Sequence, residues 1–371
     1  MKEIAIKQFN LIIALLSILV VFAVAAAFSA AQSVLIPLMI AWLLSYICGP
    51  VVTFLVHKKV PLSIATFTVL ILVLSICYLG GIFIAARVRG VLDESPQIVK
   101  QLNAIYADIT ANLNIPKDFL KDINWLEKLG PRLATLSGSV AVFMAGFAGN
   151  LLLVLIFLVF MLLGKPYFKY KVARAFPTDK ATQFNEITTG ISHQIGQYLI
   201  VKVIISTITG LLVWISLSLL KVNFALTWGA LALLLNFIPS IGSIIASIPP
   251  ILLAIVQFYP TPGVETTGSW MLIPILTATA LLTIQMIMGN VIEPKVMGES
   301  LNLSPVVILL SLVFFGWLWG IVGALLSVPI AASIKIVCEN IEGLRGISVM
   351  MGSGQTCMDE ALAKKETTQQ K

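Results

Sequence analysis

The sequence predicts an all-α, polytopic helical integral membrane protein. It should have about eight spans, short broken or re-entrant helices and one amphipathic exterior segment. Three observations lead there. Only 11% of the 371 residues are charged and 58% are hydrophobic, with a mean hydropathy of +1.00, whereas a soluble domain carries about 25% charged residues. The apolar residues fall into runs near the length of about 20 that crosses a bilayer as a helix. Two of those runs are interrupted, at NFIPSIGSIIASIPP (236–250) and at QMIMGNVIEPKVMGESLNLSP (285–305). Lipid admits non-helical backbone and ionisable groups only where protein or a water-filled cavity receives them.

Residues 1–86 read as N-terminal membrane helices. In the first span, Leu11–Ala31, Lys2 and Lys7 precede an apolar run from Leu11 to Ala27, and the small residues Ser29, Ala30 and Ala31 that follow imitate a signal-peptide cleavage site. The run exceeds a usual signal core and another follows at once, so an uncleaved first helix is expected. Val34–Cys48 is short for an upright span, with Pro37 near its start and Gly49-Pro50 at its end; a tilted or re-entrant element is expected. His57, Lys58 and Lys59 mark a cytoplasmic turn before the full span Leu62–Ala86.

Residues 87–138 form the first polar segment, nearly balanced between acid and base, and so are placed outside. Ser95-Pro96 reads as a helix start, and Ile98, Leu102, Ile105 and Ile109 recur at helical spacing. Asn114-Ile115-Pro116 should break this helix, with Phe119, Ile123 and Leu126 marking a second that ends at Gly130-Pro131. Residues 139–342 form the main transmembrane bundle, with a cytoplasmic stretch at 164–197. Gly164-Lys165-Pro166 should end the span Val140–Leu163, and KPYFKYKVARAF then mixes bases and aromatics. Directly after a span, that mixture reads as an interface belt on anionic lipid rather than a nucleic-acid surface. A helix should start at Thr178 and run into a span ending near Leu220. The final apolar run, Val306–Val337, holds Gly316, Gly320 and Gly323; it is either a helical hairpin turning at the glycines or one long tilted helix. Residues 343–371 read as a polar, disordered cytoplasmic tail. The basic turns place both termini in the cytoplasm.

The chemistry of enzymes is missing from the apolar runs. Every aspartate lies in a polar segment, and neither a zinc-protease motif nor a phosphate-binding glycine loop with its lysine occurs. Four scattered cysteines and two isolated histidines, His57 and His193, indicate neither a metal site nor a disulfide frame. The expectation is a non-enzyme without cofactor or metal, whose partners are the lipid bilayer and a small polar substrate or cation, with no nucleic acid.

Gly/Pro-broken hydrophobic segments in a polytopic protein point to a site built from discontinuous helices, and the two breaks are expected to face each other. The candidate pathway residues are Glu293, Asn290, Asn236, Gln285 and Lys202; the helix-break motif comprises Pro239, Gly242, Pro249, Pro250, Pro294, Gly298 and Pro305. Glu293 is the acid within the apolar approach to the second break, suited to a proton or cation, or else to an ion pair with Lys295 or a cap on free backbone groups. Asn236, Asn290 and Gln285 both donate and accept hydrogen bonds, as a polyol or carbonyl substrate requires. Lys202 lies just inside an apolar run, where it is a functional candidate or snorkels to the cytoplasmic headgroups.

Three stretches carry a family resemblance: YLIVKVIISTITGLLVW (198–214), FALTWGALALLLNFIPSIGSIIASIPP (224–250) and GNVIEPKVMGESLNLSPVVILLSLVFFGWLWGIVGALLSVP (289–329). In these motifs the sequence resembles the autoinducer-2 exporter family of bacterial inner-membrane proteins. The resemblance implies export of autoinducer-2, a small furanone-derived polyol, without ATP hydrolysis. It also implies a homo-oligomer, with pentamers expected for this family, and carries over Asn236, Pro239, Gly242, Asn290, Glu293, Pro294, Gly298 and Pro305. Other members are described as sodium/proton antiporters, so exchange is an alternative. A membrane scaffold or regulator binding an envelope partner through Ser95–Leu129 is another.

Overall fold

The computed structural model describes residues 12, 15–16, 19–20, 22–112, 125–239, 241–260, 270–297 and 301–354. Everything regular in them is helical: α1 Gln32–His57, α2 Leu62–Asn112, α3 Trp125–Ala175, α4 Thr178–Leu219, α5 Ala225–Leu235, α6 Ile241–Phe258, α7 Leu272–Ile287, a π-helical turn Met288–Ile292, α8 Glu293–Met297, α9 Pro305–Asn340, a 3-10 turn Glu342–Leu344 and α10 Arg345–Met351. Among the described residues, seven helices are long and apolar enough to cross a membrane. The remaining expected span, Leu11–Ala31, is described only in part; residues 22–30 are helical.

The chain divides into two compact units. One comprises Met1–Thr66, Asn150–Gly196 and Leu301–Lys371; the other comprises Phe67–Gly149 and Gln197–Ser300.

In the first unit α1 is longer than the sequence suggested, because Gly49-Pro50 lies inside a continuous helix of 26 residues. It is therefore a full-length span, not a half-helix. Its end is written in backbone hydrogen bonds. The amide of Lys59 donates to the carbonyl of Val56 and that of Val60 to Leu55, with Lys59 at φ +67°. This pairing is the Schellman arrangement, here built on lysine instead of glycine.

The last apolar run is a hairpin. Trp319 and Gly320 leave helical geometry, and Gly320 has φ +62° and ψ −143°. A Cβ on Gly323 would strike the carbonyl of Phe315, eight residues back, a separation that a continuous helix holds at about 12 Å. The arm before the turn, Pro305 to Leu318, is about 21 Å long and does not cross by itself. Proline opens this helix, with extended Ser304 before it. The Ser304 amide donates to the carbonyl of Met351 at 2.9 Å, and Asn302 Oδ1 accepts from Ser353 N and Oγ at 3.1 and 2.9 Å. The expectation of a structureless chain after Gly343 is thereby corrected as far as Ser353: α10 is ordered because it supplies partners to the strand-like entry of α9. Residues 355–371 lie outside the described residues.

In the second unit, a packed core joins Val213, Leu217, Val222, Ala232, Ala246, Ala254 and Leu281 from α4, the α4–α5 turn, α5, α6 and α7. The α4–α5 turn repeats the lysine Schellman arrangement, with Lys221 at φ +55° and Val222 N donating to Leu217 O. α4 and α5 cross at glycines. A Cβ on Gly210 would lie 2.7 Å from the Gly229 carbonyl, and one on Gly229 equally close to the Gly210 carbonyl. Small residues at such a crossing let two backbones approach where lipid supplies no hydrophobic drive.

Several expected breaks do not occur. Ser95-Pro96 lies within the 51-residue α2, while Gly130-Pro131 and Gly164-Lys165-Pro166 lie within α3, also 51 residues. One proline removes one intrahelical bond, whereas stopping and restarting requires a new nucleus; the long helices retain their register. The Asn114-Ile115-Pro116 break, with Phe119 and Ile123, lies outside the described residues. α4 starts at Thr178, where the sequence placed it.

Candidate transport site

Break one is a chain reversal. α5 has 11 residues, about 16 Å of helix and too short to cross. It ends as Phe237 N and Ile238 N donate to Leu234 and Leu235 carbonyls, and α6 begins at Ile241 after Pro239. Gly242 is obligatory here, since a Cβ would collide with the Leu235 carbonyl. Pro249 and Pro250 do not break anything: both lie inside the 18-residue α6. The expectation for these two prolines is corrected. Prolines are tolerated inside a transmembrane helix, and Pro250 is fully buried.

Break two is subtler. α7 does not stop; it passes into the π-helical turn Met288–Ile292, and α8 begins at Glu293 with Pro294 second. A π turn holds one residue more than an α turn, which rotates the downstream helix by about 100° around the axis. Pro294 lacks an amide hydrogen, so the widened turn costs one bond fewer at this point.

Both breaks meet the same face of α4. Lys202 Nζ donates to Glu293 Oε1, forming an ion pair in which the lysine side chain is 3% exposed and the glutamate 21%. One turn along, Asn236 Nδ2 donates to Ser206 Oγ at 3.0 Å, both groups buried. Tyr198, Lys202, Ser206 and Thr209 are all buried, and spacings of four, four and three put them on one stripe of the helix. Lys202 therefore does not snorkel, and Glu293 pairs with Lys202 instead of the exposed Lys295. The expected convergence of the breaks takes the form of two adjacent polar contacts on α4.

The other candidates stand apart. Asn290 is exposed within the π turn and donates to Met286 Sδ at 3.2 Å on its own helix segment. Gln285 is half-buried on α7. Gly298 lies outside the described residues, and Pro305 opens α9 in the other unit. Sequence reasoning overlooked Ser206, Tyr198 and Thr209. The signal was available in the helical spacing of polar residues around Lys202, within a run whose remaining side chains are mostly apolar.

No group of three or more His, Cys, Asp or Glu side chains suited to a metal occurs among the described residues. The stripe offers one neutralised charge pair, an amide and hydroxyls, in a setting otherwise apolar. Such an arrangement can hydrogen-bond a small polar solute.

The profile of the AI-2E family transporter matches residues 16–343. The chain belongs to the AI-2E transporter family. It is a multi-pass membrane transporter, in a family of transport proteins. The AI-2 transport protein TqsA of Escherichia coli is 32% identical over 332 residues, covering 86% of this chain and 90% of its own. A relative in Borreliella burgdorferi named "Putative transport protein" is 33% identical over 338 residues, covering 91% and 90%. YhhT of Escherichia coli, also named as a "Putative transport protein", is 29% identical over 330 residues, covering 88% and 90%. The family match spans both breaks and the whole of α4.

Proposed function

We propose that this AI-2E family member exports a small uncharged polar signal molecule, autoinducer-2, across the bacterial inner membrane without ATP hydrolysis. The observation that carries the reading is the buried Lys202–Glu293 pair. Each charge cancels the other, so the stripe presents no net charge for an ion to neutralise. A cation seeking Glu293 has to displace a buried ammonium first, and breaking such a pair costs about 3–5 kcal/mol. A neutral polyol has only to exchange hydrogen bonds with Asn236, Ser206 and the pair itself. The name of the relative TqsA supports the same substrate, and the sequence contains no phosphate-binding glycine loop through which this chain would hydrolyse ATP.

Sodium/proton exchange is the second reading, favoured by the Glu293 carboxylate at a helix break. Both readings place the termini in the cytoplasm and the protein in a homo-oligomer, with five subunits by family resemblance. Purified protein in sealed vesicles separates them. Saturable flux of labelled autoinducer-2, indifferent to ATP, together with a steady internal pH after a sodium pulse, is expected. Sodium-driven pH change without autoinducer-2 flux would replace the first reading by the second.

A further inference from the structure

The hydroxyls neighbouring Ser206 on α4 are spent within their own helix. Thr207 Oγ1 donates to the Val203 carbonyl and Thr209 Oγ1 to the Ile205 carbonyl, each at 2.8 Å. This back-bonding to residue i−4 is the default for serine and threonine in an apolar helix. Thr53, Ser75 and Ser247 follow it as well. Ser206 departs from it. Its oxygen accepts from the amide of Asn236, which sits where α5 ends and break one begins. Ser206 is fully buried and Asn236 is 7% exposed. A buried amide hydrogen without an acceptor is strongly unfavourable, so something has to occupy this position.

We propose that Ser206 Oγ stands in for a substrate hydroxyl on the Asn236 amide, which makes Asn236 the recognition residue for small uncharged polyols and Ser206 its internal competitor. The assignment rests on the neutral-polyol reading above and deepens it. A serine oxygen and a polyol oxygen are chemically alike, so loading exchanges one neutral hydrogen bond for another and the amide is satisfied in both states. Asn236 caps the end of α5, ahead of Pro239 and the obligatory Gly242.

The test is counterflow in sealed vesicles with a panel of uncharged polyols of two to five carbons, alongside autoinducer-2. Ser206→Ala removes the competitor and leaves the amide unmet in the unloaded state, so half-saturation should fall about fivefold or more. Asn236→Ala should raise it about tenfold. Ser206→Cys, a weaker acceptor, should lie between wild type and Ser206→Ala, and guards against a folding defect in either alanine variant. A purely structural role predicts weaker or unchanged binding on losing Ser206. Tighter half-saturation in Ser206→Ala for any carried polyol supports the proposal even where autoinducer-2 itself is not carried, which would remove only the signal-molecule reading. Unchanged or weaker half-saturation for every carried polyol overturns it, as does a wild-type protein that carries no uncharged polyol.

Discussion

Removing one partner of the Lys202–Glu293 pair should be far more harmful than removing both. The lysine side chain is 3% exposed and the glutamate 21%, so the orphan left behind differs between the two single variants. In Glu293→Gln an ammonium remains almost wholly out of water, and the penalty should approach the upper part of the range of about 3–5 kcal/mol for a broken buried pair. In Lys202→Met the remaining carboxylate keeps some contact with water, and about 2–3 kcal/mol is expected after that discount. Lys202→Met/Glu293→Gln leaves no charge behind and should fall close to wild type, since well-packed neutral replacements of buried pairs are often neutral or stabilising. Thermal unfolding of the purified protein in lipid nanodiscs provides the ordering: wild type and double variant together, then Lys202→Met, then Glu293→Gln lowest. The coupling in the cycle should be about 6–8 kcal/mol. Additive single effects, or a Lys202→Met variant less stable than Glu293→Gln, would refute the reasoning.

Backbone geometry has consequences of its own. Gly210→Ala places a Cβ 2.7 Å from the Gly229 carbonyl and should cost about 1–3 kcal/mol, read as a lowered unfolding midpoint. Gly320→Ala puts a side chain on a residue at φ +62° and ψ −143° with open space around it, so only the backbone conformation resists; a loss of about 1–3 kcal/mol is expected by the same measurement. Deleting Asn290 should convert the π turn to an α turn and swing Glu293 about 100° from Lys202. Its stability should then match Glu293→Gln, and adding Lys202→Met to the deletion should recover part of the loss. Asn302→Ala removes the acceptor for Ser353 N and Oγ and should make α10 more susceptible to limited proteolysis while unfolding of the remainder is unchanged.

How much of this was legible in the sequence depended on the kind of signal. The fold class, the span from Thr178 and the location of both breaks followed from hydropathy, because burial in lipid imposes a length and an apolarity that few other constraints disturb. Proline and glycine were less reliable. Pro50, Pro131, Pro166, Pro249 and Pro250 read as stops and Pro96 as a start, and all six lie inside helices. One missing intrahelical bond does not by itself end a helix. Pro239 and Pro305 do mark boundaries. At Pro239 the difference is tertiary: Gly242 packs against a carbonyl that the reversed chain brings near, which sequence cannot display.

The candidate site was half visible. Glu293, Lys202 and Asn236 were each singled out as an ionisable or amide group in an apolar setting, and the structure brings all three together at α4. Their pairing was not foreseeable, because Lys202 and Glu293 are 91 residues apart and Lys295 offered a nearer partner. Asn290 and Gln285 attracted attention through proximity to the break, yet the π turn leaves Asn290 exposed. A widened turn has no recognised sequence mark comparable to that of a proline or glycine. Ser206 was hidden for the opposite reason: one serine in a helix ordinarily bonds its own backbone, and only the arrival of Asn236 makes it different.

The measurement that tests the central claim most directly is flux in vesicles of wild type, Glu293→Gln and the Lys202→Met/Glu293→Gln double variant, followed with labelled autoinducer-2 and an internal pH indicator together. The account predicts that wild type carries autoinducer-2, that the double variant carries it at a rate nearer wild type than Glu293→Gln does, and that a sodium pulse moves no protons in any of the three. Sodium-driven acidification or alkalinisation in wild type, abolished in both variants, would show Glu293 to be a cation site and would contradict the account.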